Sequence, residues 1–256
     1  MKRFVKAAAK SLGFEIHRIS PNATNVTDPY AVMRRLIDNP QPIIFDVGAN
    51  VGRTAKRFRS LFPEANIFCF EPFPSSFERL SSAFTNDPAI ECHQLALADV
   101  PGISRLTVNQ SSATNSLLTS DARAANYWGP NLLDTQAEIE VKTETVDRFC
   151  ERKGLKHLDI LKLDVQGAEF SVLEGARELL QNQCIDLIYM EMITAPTYVG
   201  QRKLHEYLGL FDTWKYEVFD FYNLCRKDAR LIQTDNIMIS SRFLSRYEQS
   251  GAANAT

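Results

Sequence analysis

The sequence has no long hydrophobic run, no paired cysteine motif and no excess of charge of one sign. No stretch approaches the roughly 18 consecutive apolar residues that a transmembrane helix requires. The 29 basic and 31 acidic residues leave a net charge of −2, so the chain lacks the basic field that nonspecific nucleic-acid binding usually needs. We therefore expect neither a membrane span nor a nucleic-acid partner.

The cysteines and histidines show no metal-binding pattern. The five cysteines form no CxxC pair, and Cys69, Cys92 and Cys184 lie in or beside apolar runs, as buried reduced thiols do. The four histidines have no spacing of the HxxxH type. These features favour a cytoplasmic protein without a histidine-based metal site.

The N-terminal segment is basic and amphipathic. Residues 1–19 carry five basic side chains and one acidic side chain, with apolar residues at roughly helical spacing. Lys6 and Lys10 interrupt the apolar core that a signal peptide needs, which disfavours secretion. We expect a helix packed on the domain, with weak membrane-surface contact as the alternative. The predicted divisions are an N-terminal helical extension at 1–40, a catalytic domain at 41–245 and a flexible tail at 246–256.

From residue 42 onward, short apolar runs alternate with amphipathic stretches. The runs at 43–47, 66–70, 90–98, 158–164 and 185–191 are predicted strands, and a single helix is predicted around 172–180. Alternating strands and helices of this composition indicate an α/β fold, with a doubly wound, mostly parallel sheet that helices cover on both faces. Ligands of such sheets bind at the carboxyl ends of the strands.

A glycine turn follows the first of these strands directly and precedes a helix. Gly48 and Gly52 are separated by three residues, so the turn does not match the GxGxxG dinucleotide fingerprint. Glycines at such a turn allow the backbone to approach a ligand closely. Asp46, at the strand end, can accept a hydrogen bond from a cation or an amine.

Two more acids follow the next predicted strands. Glu71 lies 19 residues beyond Gly52, where an acid of this fold type commonly holds ribose hydroxyls, although a solvated residue opening a Pro-Phe-Pro turn would look the same. Phe73 can stack on an adenine or simply pack. Asp99 can accept a hydrogen bond from an adenine amino group or cap a turn.

Five motifs occur in order between about residues 40 and 195. They are Phe45 to Gly52, Phe70-Glu71-Pro72, Leu97-Ala98-Asp99, Thr145-Val146-Asp147, and Leu161 to Glu169 with Val172-Leu173-Glu174-Gly175. In these motifs the chain resembles the FkbM-type S-adenosylmethionine-dependent methyltransferases. The Lys-x-Asp-x-x-Gly-x-Glu stretch is the most specific, and members more often have Glu where this chain has Gln166.

The resemblance implies a seven-stranded Rossmann-like sheet with one reversed strand, S-adenosylmethionine as the methyl donor, and a sugar, glycan or natural-product hydroxyl as the acceptor. It places Asp46, Gly48, Asn50 and Gly52 at the methionine end of the cofactor, Glu71 at the ribose and Asp99 at the adenine. Asp164 then faces the transferring methyl group. Further cofactor contacts are assigned to Ala49, Pro72, Phe73 and Ala98.

An acceptor hydroxyl needs a base as its proton leaves. Asp164 is the favoured base because of its position, and Glu191 and Glu169 are the competitors. Glu169 is expected to be structural, since an acid in a first helical turn stabilises the helix dipole. Asp164 and Glu191 could hold Mg²⁺, but no third oxygen ligand is visible and we expect no metal. Loops at 111–117 and 127–129 can close over the acceptor.

Two readings from other classes remain open. A noncatalytic nucleotide-binding or scaffold protein would keep the fold and dock through its basic N-terminal helix. An NAD-dependent oxidoreductase is disfavoured by the glycine spacing and by the lack of a Tyr-x-x-x-Lys pair. The sequence identifies neither the individual acceptor nor the oligomeric state.

Overall fold

The computed structural model describes residues 27–250, in which ten strands form two sheets. The predicted basic helix at 1–19 and the last residues of the predicted tail lie outside this range. The elements are α1 (Pro29–Leu36), β1 (Ile43–Val47), α2 (Arg53–Leu61), β2 (Asn66–Phe70), α3 (Pro74–Ala83), β3 (Ile90–His93), β4 (Ala96–Leu97), β5 (Gly102–Asn109), α4 (Ala125–Trp128), β6 (Thr135–Glu144), α5 (Val146–Lys153), β7 (Leu158–Leu163), α6 (Glu169–Glu174), α7 (Arg177–Gln181), β8 (Ile185–Ile193), α8 (Leu204–Thr213), β9 (Tyr216–Lys227), β10 (Arg230–Ser240) and α9 (Ser241–Gln249).

The main sheet has seven strands in the order β3-β2-β1-β7-β8-β10-β9. Strand β10 runs antiparallel to both of its neighbours, whereas β3, β2, β1, β7 and β8 are parallel. The predicted doubly wound sheet with one reversed strand is therefore confirmed. The chain order changes direction between β1 and β7, and such a switch point opens a crevice at the carboxyl ends of the strands.

Side chains along the central strands point alternately to the two faces of this sheet, so the apolar core has two parts. Phe45, Leu161 and Ile188 pack on one face, in the same cluster as Phe149 of α5. Their chain neighbours Ile44, Ile160 and Leu187 pack on the other face, against α1 and α2. Every residue of β7 is buried because helices cover both faces.

The predicted third strand at 90–98 is two strands that belong to different sheets. β3 ends at His93, and β4 pairs with β6 in a three-stranded sheet of order β4-β6-β5. Ala96 packs there against Leu106 and Val141. This small apolar core draws the chain away from the main sheet and explains the break.

The single helix predicted at 172–180 is also divided, into α6 and α7. A Cβ atom at Gly175 would lie only 2.1 Å from the carbonyl oxygen of Ala98. The carbonyl oxygen of Gly175 also accepts a hydrogen bond from the backbone N–H of Asp147. The helix breaks where these two segments approach its backbone.

Both ends of the described chain pack on the main sheet. Met33 and Leu36 of α1 are buried in the core, although the sequence assigns them to the N-terminal extension. Residues 246–249, which the sequence assigns to the tail, lie in helix α9, whose Phe243 is buried and whose Arg246 pairs with Asp186. Among the helices of residues 27–250, none is long and apolar enough to cross a bilayer.

Candidate functional site

A cavity of about 300 Å³, which we call the main cavity, opens at the carboxyl ends of β1, β2 and β7. The glycine turn and Glu71 line one side of it, and the segment from Ser112 to Leu117 lines another. Asp164 and Glu191 also line it, so the structure brings together acids that are far apart in the sequence. The predicted loop at 111–117 therefore borders the site.

The glycine turn lies against the end of β7. Gly48 and Gly52 have φ angles of +75° and +82°, and Asn50 between them has +47°. A Cβ atom on Gly48 would lie 1.8 Å from the carbonyl oxygen of Asp164, a distance that no side chain tolerates. Only glycine therefore fits at position 48, because of both the positive φ angle and the close contact with Asp164.

Replacing Gly48 by Ala is expected to lower the free energy of unfolding by at least about 2 kcal/mol, because strained φ and steric overlap act together. Urea denaturation measures this loss. Gly209→Ala is the matched control, because Gly209 lies inside helix α8 with nothing within 4 Å of the added Cβ. That variant should be as stable as the wild type or slightly more stable. Equal stability of both variants would contradict the argument.

Glu71 is buried and fixes the glycine turn to the end of β2. Its carboxylate accepts hydrogen bonds from the backbone N–H groups of Asn50 and Phe73, each at 2.9 Å. Burial raises the pKa of Glu71, while these two donors oppose the rise. Each carboxylate oxygen still has a free lone pair, so Glu71 can accept two ligand hydroxyls. Pro72 also lines the cavity, whereas Phe73 packs against the core of the small sheet.

Asp46, predicted to touch the cofactor, is fully buried and does not line the main cavity. Its Oδ1 lies 2.8 Å from Nζ of Lys162, which also donates to the carbonyl oxygen of Gly48 at 3.1 Å. Burial lowers the pKa of Lys162, but attraction to Asp46 and Asp164 outweighs it and leaves that pKa raised. The ion pair thus stabilises the glycine turn from its buried side.

Ala98 and Asp99 also lie outside the main cavity. The Asp99 carboxylate instead accepts a hydrogen bond from the Ser171 hydroxyl at 2.8 Å. Where the sequence predicts Asp99, at the adenine end of the site, the main cavity is instead lined by the apolar residues Leu95, Leu97, Leu106 and Leu117. Sequence reasoning missed these leucines because it considered only acids at strand ends; the apolar residues of β4 were the available signal.

Gln166 connects the two predicted catalytic carboxylates. Its Nε2 donates to Oδ1 of Asp164 and to Oε2 of Glu191, each at 2.9 Å. Its Oε1 accepts from the hydroxyl of Tyr198 at 3.0 Å, which fixes the orientation of the amide. Tyr198 has no predicted role, because it lies in a loop more than 30 residues away along the chain.

The two carboxylates differ in environment. Burial, and then repulsion by Asp164 and Glu169, raises the pKa of Glu191 well above its ordinary value. The Asp164 side chain is 43% exposed and lies 3.8 Å from the Lys162 ammonium group. Asp164 therefore combines solvent access with a neighbouring cation, whereas Glu191 is surrounded by other acids.

Glu169 is buried beneath the loop that follows β7. Its Oε1 accepts hydrogen bonds from the backbone N–H groups of Val165 and Gly167, at 3.0 and 3.2 Å. Glu169 does not line the main cavity. These contacts give Glu169 a structural part in shaping the loop that carries Gln166.

The stability of the protein is expected to depend on Glu169 ionisation. Burial raises the pKa of Glu169 from 4.5 to about 7. Because the folded-state pKa is the higher one, the stabilisation is complete below pH 4.5 and is lost as pH rises to about 7. The Glu169→Gln variant keeps the acceptor oxygen and should lose less stability between pH 5 and pH 8. Urea denaturation at both pH values tests this; identical losses would contradict it.

Two further features fit an extended polar ligand. The Nδ2 of Asn115, which lines the main cavity, has no hydrogen-bond partner in the described part of the chain. A side cavity of about 300 Å³ continues past the glycine turn and is bordered by Arg53 and Arg79. The two cavities together have the size of a small-molecule cofactor site, and the cations suit a carboxylate.

Metal-ligand side chains meet at one place within residues 27–250, at the amino ends of β7 and β8. His157, Asp159 and Asp186 form this cluster, away from the main cavity. Arg246 already pairs with Asp186, and Asp159 accepts from the backbone N–H of Ile43. At Asp164 and Glu191, the Gln166 amide nitrogen occupies the position between the carboxylates.

Several known proteins are similar to this chain. The family model of the methyltransferase FkbM domain matches residues 46–218. The 2-O-methyltransferase NoeI of Sinorhizobium fredii is 30% identical, over 70% of this chain and 75% of NoeI. The hexuronic acid methyltransferase AglP of Haloferax volcanii is 29% identical, over 59% of this chain and 57% of AglP. The crystal structure of methyltransferase FkbM from Methylobacillus flagellatus superposes with a TM-score of 0.48 and 11% identity, over 77% of this chain and 44% of that one.

Proposed function

The chain belongs to the FkbM methyltransferase family, and from this premise we propose that it is an S-adenosylmethionine-dependent O-methyltransferase acting on a sugar or natural-product hydroxyl. The observation that carries the proposal is that one cavity holds both Glu71 and the pair Asp164 and Glu191. The first suits ribose hydroxyls and the second suits proton transfer. NoeI, a 2-O-methyltransferase, and AglP, which acts on hexuronic acid, support a sugar acceptor.

Different residues of the main cavity would bind different parts of the cofactor. Glu71 would hold the ribose hydroxyls, and the leucines at the far end would pack against the adenine. Asn50 and the glycine turn would lie along the methionine end, where Arg53 and Arg79 offer partners for its carboxylate. S-adenosylmethionine supplies a methyl group already activated on a sulfonium sulfur.

Because the donor is activated, the chain must chiefly align the acceptor and remove one proton. Asp164 would accept the hydroxyl proton as the acceptor oxygen takes up the methyl group. Gln166 holds Asp164 in position through its amide. Glu191, whose pKa is raised by burial and neighbouring acids, is less suited to be the base, and both of its oxygens already accept amide N–H groups, from Gln166 and Gln233.

Calorimetric titration with S-adenosylhomocysteine tests the cofactor. We expect micromolar affinity for the wild type and a loss of at least about tenfold for Glu71→Ala, which removes an acceptor of charged hydrogen bonds. Glu64→Ala, which changes an exposed acid before β2, is the matched control and should bind normally. Absence of binding to folded wild type, or tighter binding of NAD, would overturn the proposal.

We also expect transfer to be independent of a divalent metal. The Gln166 amide donates to both carboxylates from the position that a bridging cation would need. Methyl transfer measured after exhaustive treatment with EDTA should match that of the untreated enzyme, and added Mg²⁺ should not raise it. A loss that Mg²⁺ restores would refute this expectation.

A further inference from the structure

A third cavity, of about 320 Å³, lies beside the main cavity at the carboxyl ends of β7 and β8. The two cavities share only two lining residues, Asp164 and Glu191. The third cavity therefore borders the main cavity at the carboxylates that would handle the proton. We call it the polar chamber; its other polar lining residues are Tyr30, Thr54, Lys162, Tyr189, Asn223, Gln233 and Asp235.

The polar chamber interrupts an otherwise apolar face of the main sheet. Leu187 and Ile237 on this face belong to the buried core. Two and four residues beyond Leu187 along β8 are Tyr189 and Glu191, and Glu191 pairs in register with Asp235 of β10. Burying polar side chains costs free energy that apolar residues at the same positions would not cost. Packing of the fold alone does not account for these residues.

The Asp235 carboxylate is held in a fixed orientation. Its Oδ2 accepts hydrogen bonds from the hydroxyl of Tyr189 at 2.7 Å and from Nδ2 of Asn223 at 2.6 Å. Its Oδ1 has no hydrogen-bond partner between residues 27 and 250. On the other side, Nε2 of Gln233 donates to Glu191 at 2.5 Å. An oriented carboxylate with one free oxygen is well suited to accept a hydroxyl or an ammonium group.

The charges around the polar chamber exclude one class of acceptor. Asp235, Glu191 and Asp164 bring carboxyl groups to its walls. Lys162 is the only cation among its described lining residues, and the charge of Lys162 is already balanced by Asp46 at 2.8 Å. An acceptor with a carboxylate or phosphate group would meet a like charge without a compensating partner, which costs binding free energy.

We propose that the polar chamber is the acceptor subsite, that it takes a neutral or amino sugar, and that Asp235 selects against acidic sugars. This inference rests on the proposed function, since it needs the acceptor hydroxyl to reach Asp164. The rings of Tyr30 and Tyr189, 5.4 Å apart in an edge arrangement, are themselves buried, so the polar groups of the polar chamber rather than these rings would contact the sugar. The polar chamber therefore differs in charge from the subsite that a hexuronic acid acceptor requires.

The test measures transfer of a labelled methyl group from S-adenosylmethionine to matched methyl glycosides. The panel has the neutral, amino and uronate forms of the gluco, galacto and manno rings. For wild type, kcat/KM should be at least about tenfold higher for the neutral or amino form than for the matching uronate. In Asp235→Asn this ratio should fall to within about threefold, through a raised KM for the preferred form.

Asp228→Asn is the matched control, because it removes the same charge from an exposed position in the turn between β9 and β10, outside the polar chamber. Its acceptor preference should equal that of the wild type. Equal or better transfer to uronates, no transfer to any glycoside, or an unchanged ratio in Asp235→Asn would overturn the inference. Binding of S-adenosylhomocysteine, measured on the same samples, separates the two proposals: normal binding confines the failure to the acceptor subsite, and its absence in wild type extends the failure to the proposed function.

Discussion

Methyl transfer by the Asp164→Asn variant is expected to be slower than in the wild type by about two to four orders of magnitude in kcat, the usual contribution of a general base. The change keeps the size of the side chain and its hydrogen-bond acceptor oxygen but removes the ability to take up a proton. The half-exposed Asp164 lines all three cavities, so no other acid in the described chain is as central. Single-turnover kinetics with a responsive glycoside measure the chemical step.

Two measurements keep this prediction separate from a loss of structure. Affinity for S-adenosylhomocysteine should stay within about threefold of the wild type, because the proposed base acts on the acceptor. Glu191→Gln should lower kcat less than Asp164→Asn, since burial and the neighbouring acids disfavour the ionised form of Glu191 that a base needs. Unchanged turnover in Asp164→Asn, or a larger loss in Glu191→Gln, would reassign the base.

The comparison of Glu71 with Asp99 shows how far strand-end acids can be predicted from sequence. Both follow predicted strands, and the same rule placed both at the cofactor. Glu71 lies at the crevice because β2 stays in the main sheet beside β1. Asp99 does not, because β4 leaves that sheet and pairs with β6. The rule failed where a tertiary contact, the small core around Ala96, determined the path of the chain.

Residues that act through long-range contacts were harder to predict. Gln166 lies within a recognised motif, but its use depends on Tyr198, which fixes the amide from a distant loop. The polar chamber likewise combines Tyr30 with side chains from β8, β9 and β10. No local sequence pattern predicts these contacts, because strand register and strand order determine which side chains come together. The sequence therefore predicted the sheet and the turn well, and the residues of the polar chamber poorly.

Lys162→Met is expected to produce the largest loss of stability, about 3 to 5 kcal/mol, because it leaves a buried charge without its partner. Asp46 is fully buried, and its Oδ2 has no hydrogen-bond partner among residues 27–250. The Lys162 ammonium group compensates Asp46 at 2.8 Å and also holds the carbonyl oxygen of Gly48. Urea denaturation measures the loss, and S-adenosylhomocysteine affinity should fall with it as the turn loosens.

The double variant Asp46→Asn, Lys162→Met decides whether charge or packing causes this loss. With both charges removed, no uncompensated ion remains, so the double variant should be at least about 1.5 kcal/mol more stable than Lys162→Met alone. Lys156→Met changes an exposed lysine just before β7 and should alter stability by less than about 0.5 kcal/mol. If the double variant were as unstable as the single one, packing around the lysine stem, and not the buried charge, would hold the glycine turn in place. S-adenosylhomocysteine affinity should stay low in both variants, because the carbonyl oxygen of Gly48 lacks its donor in each.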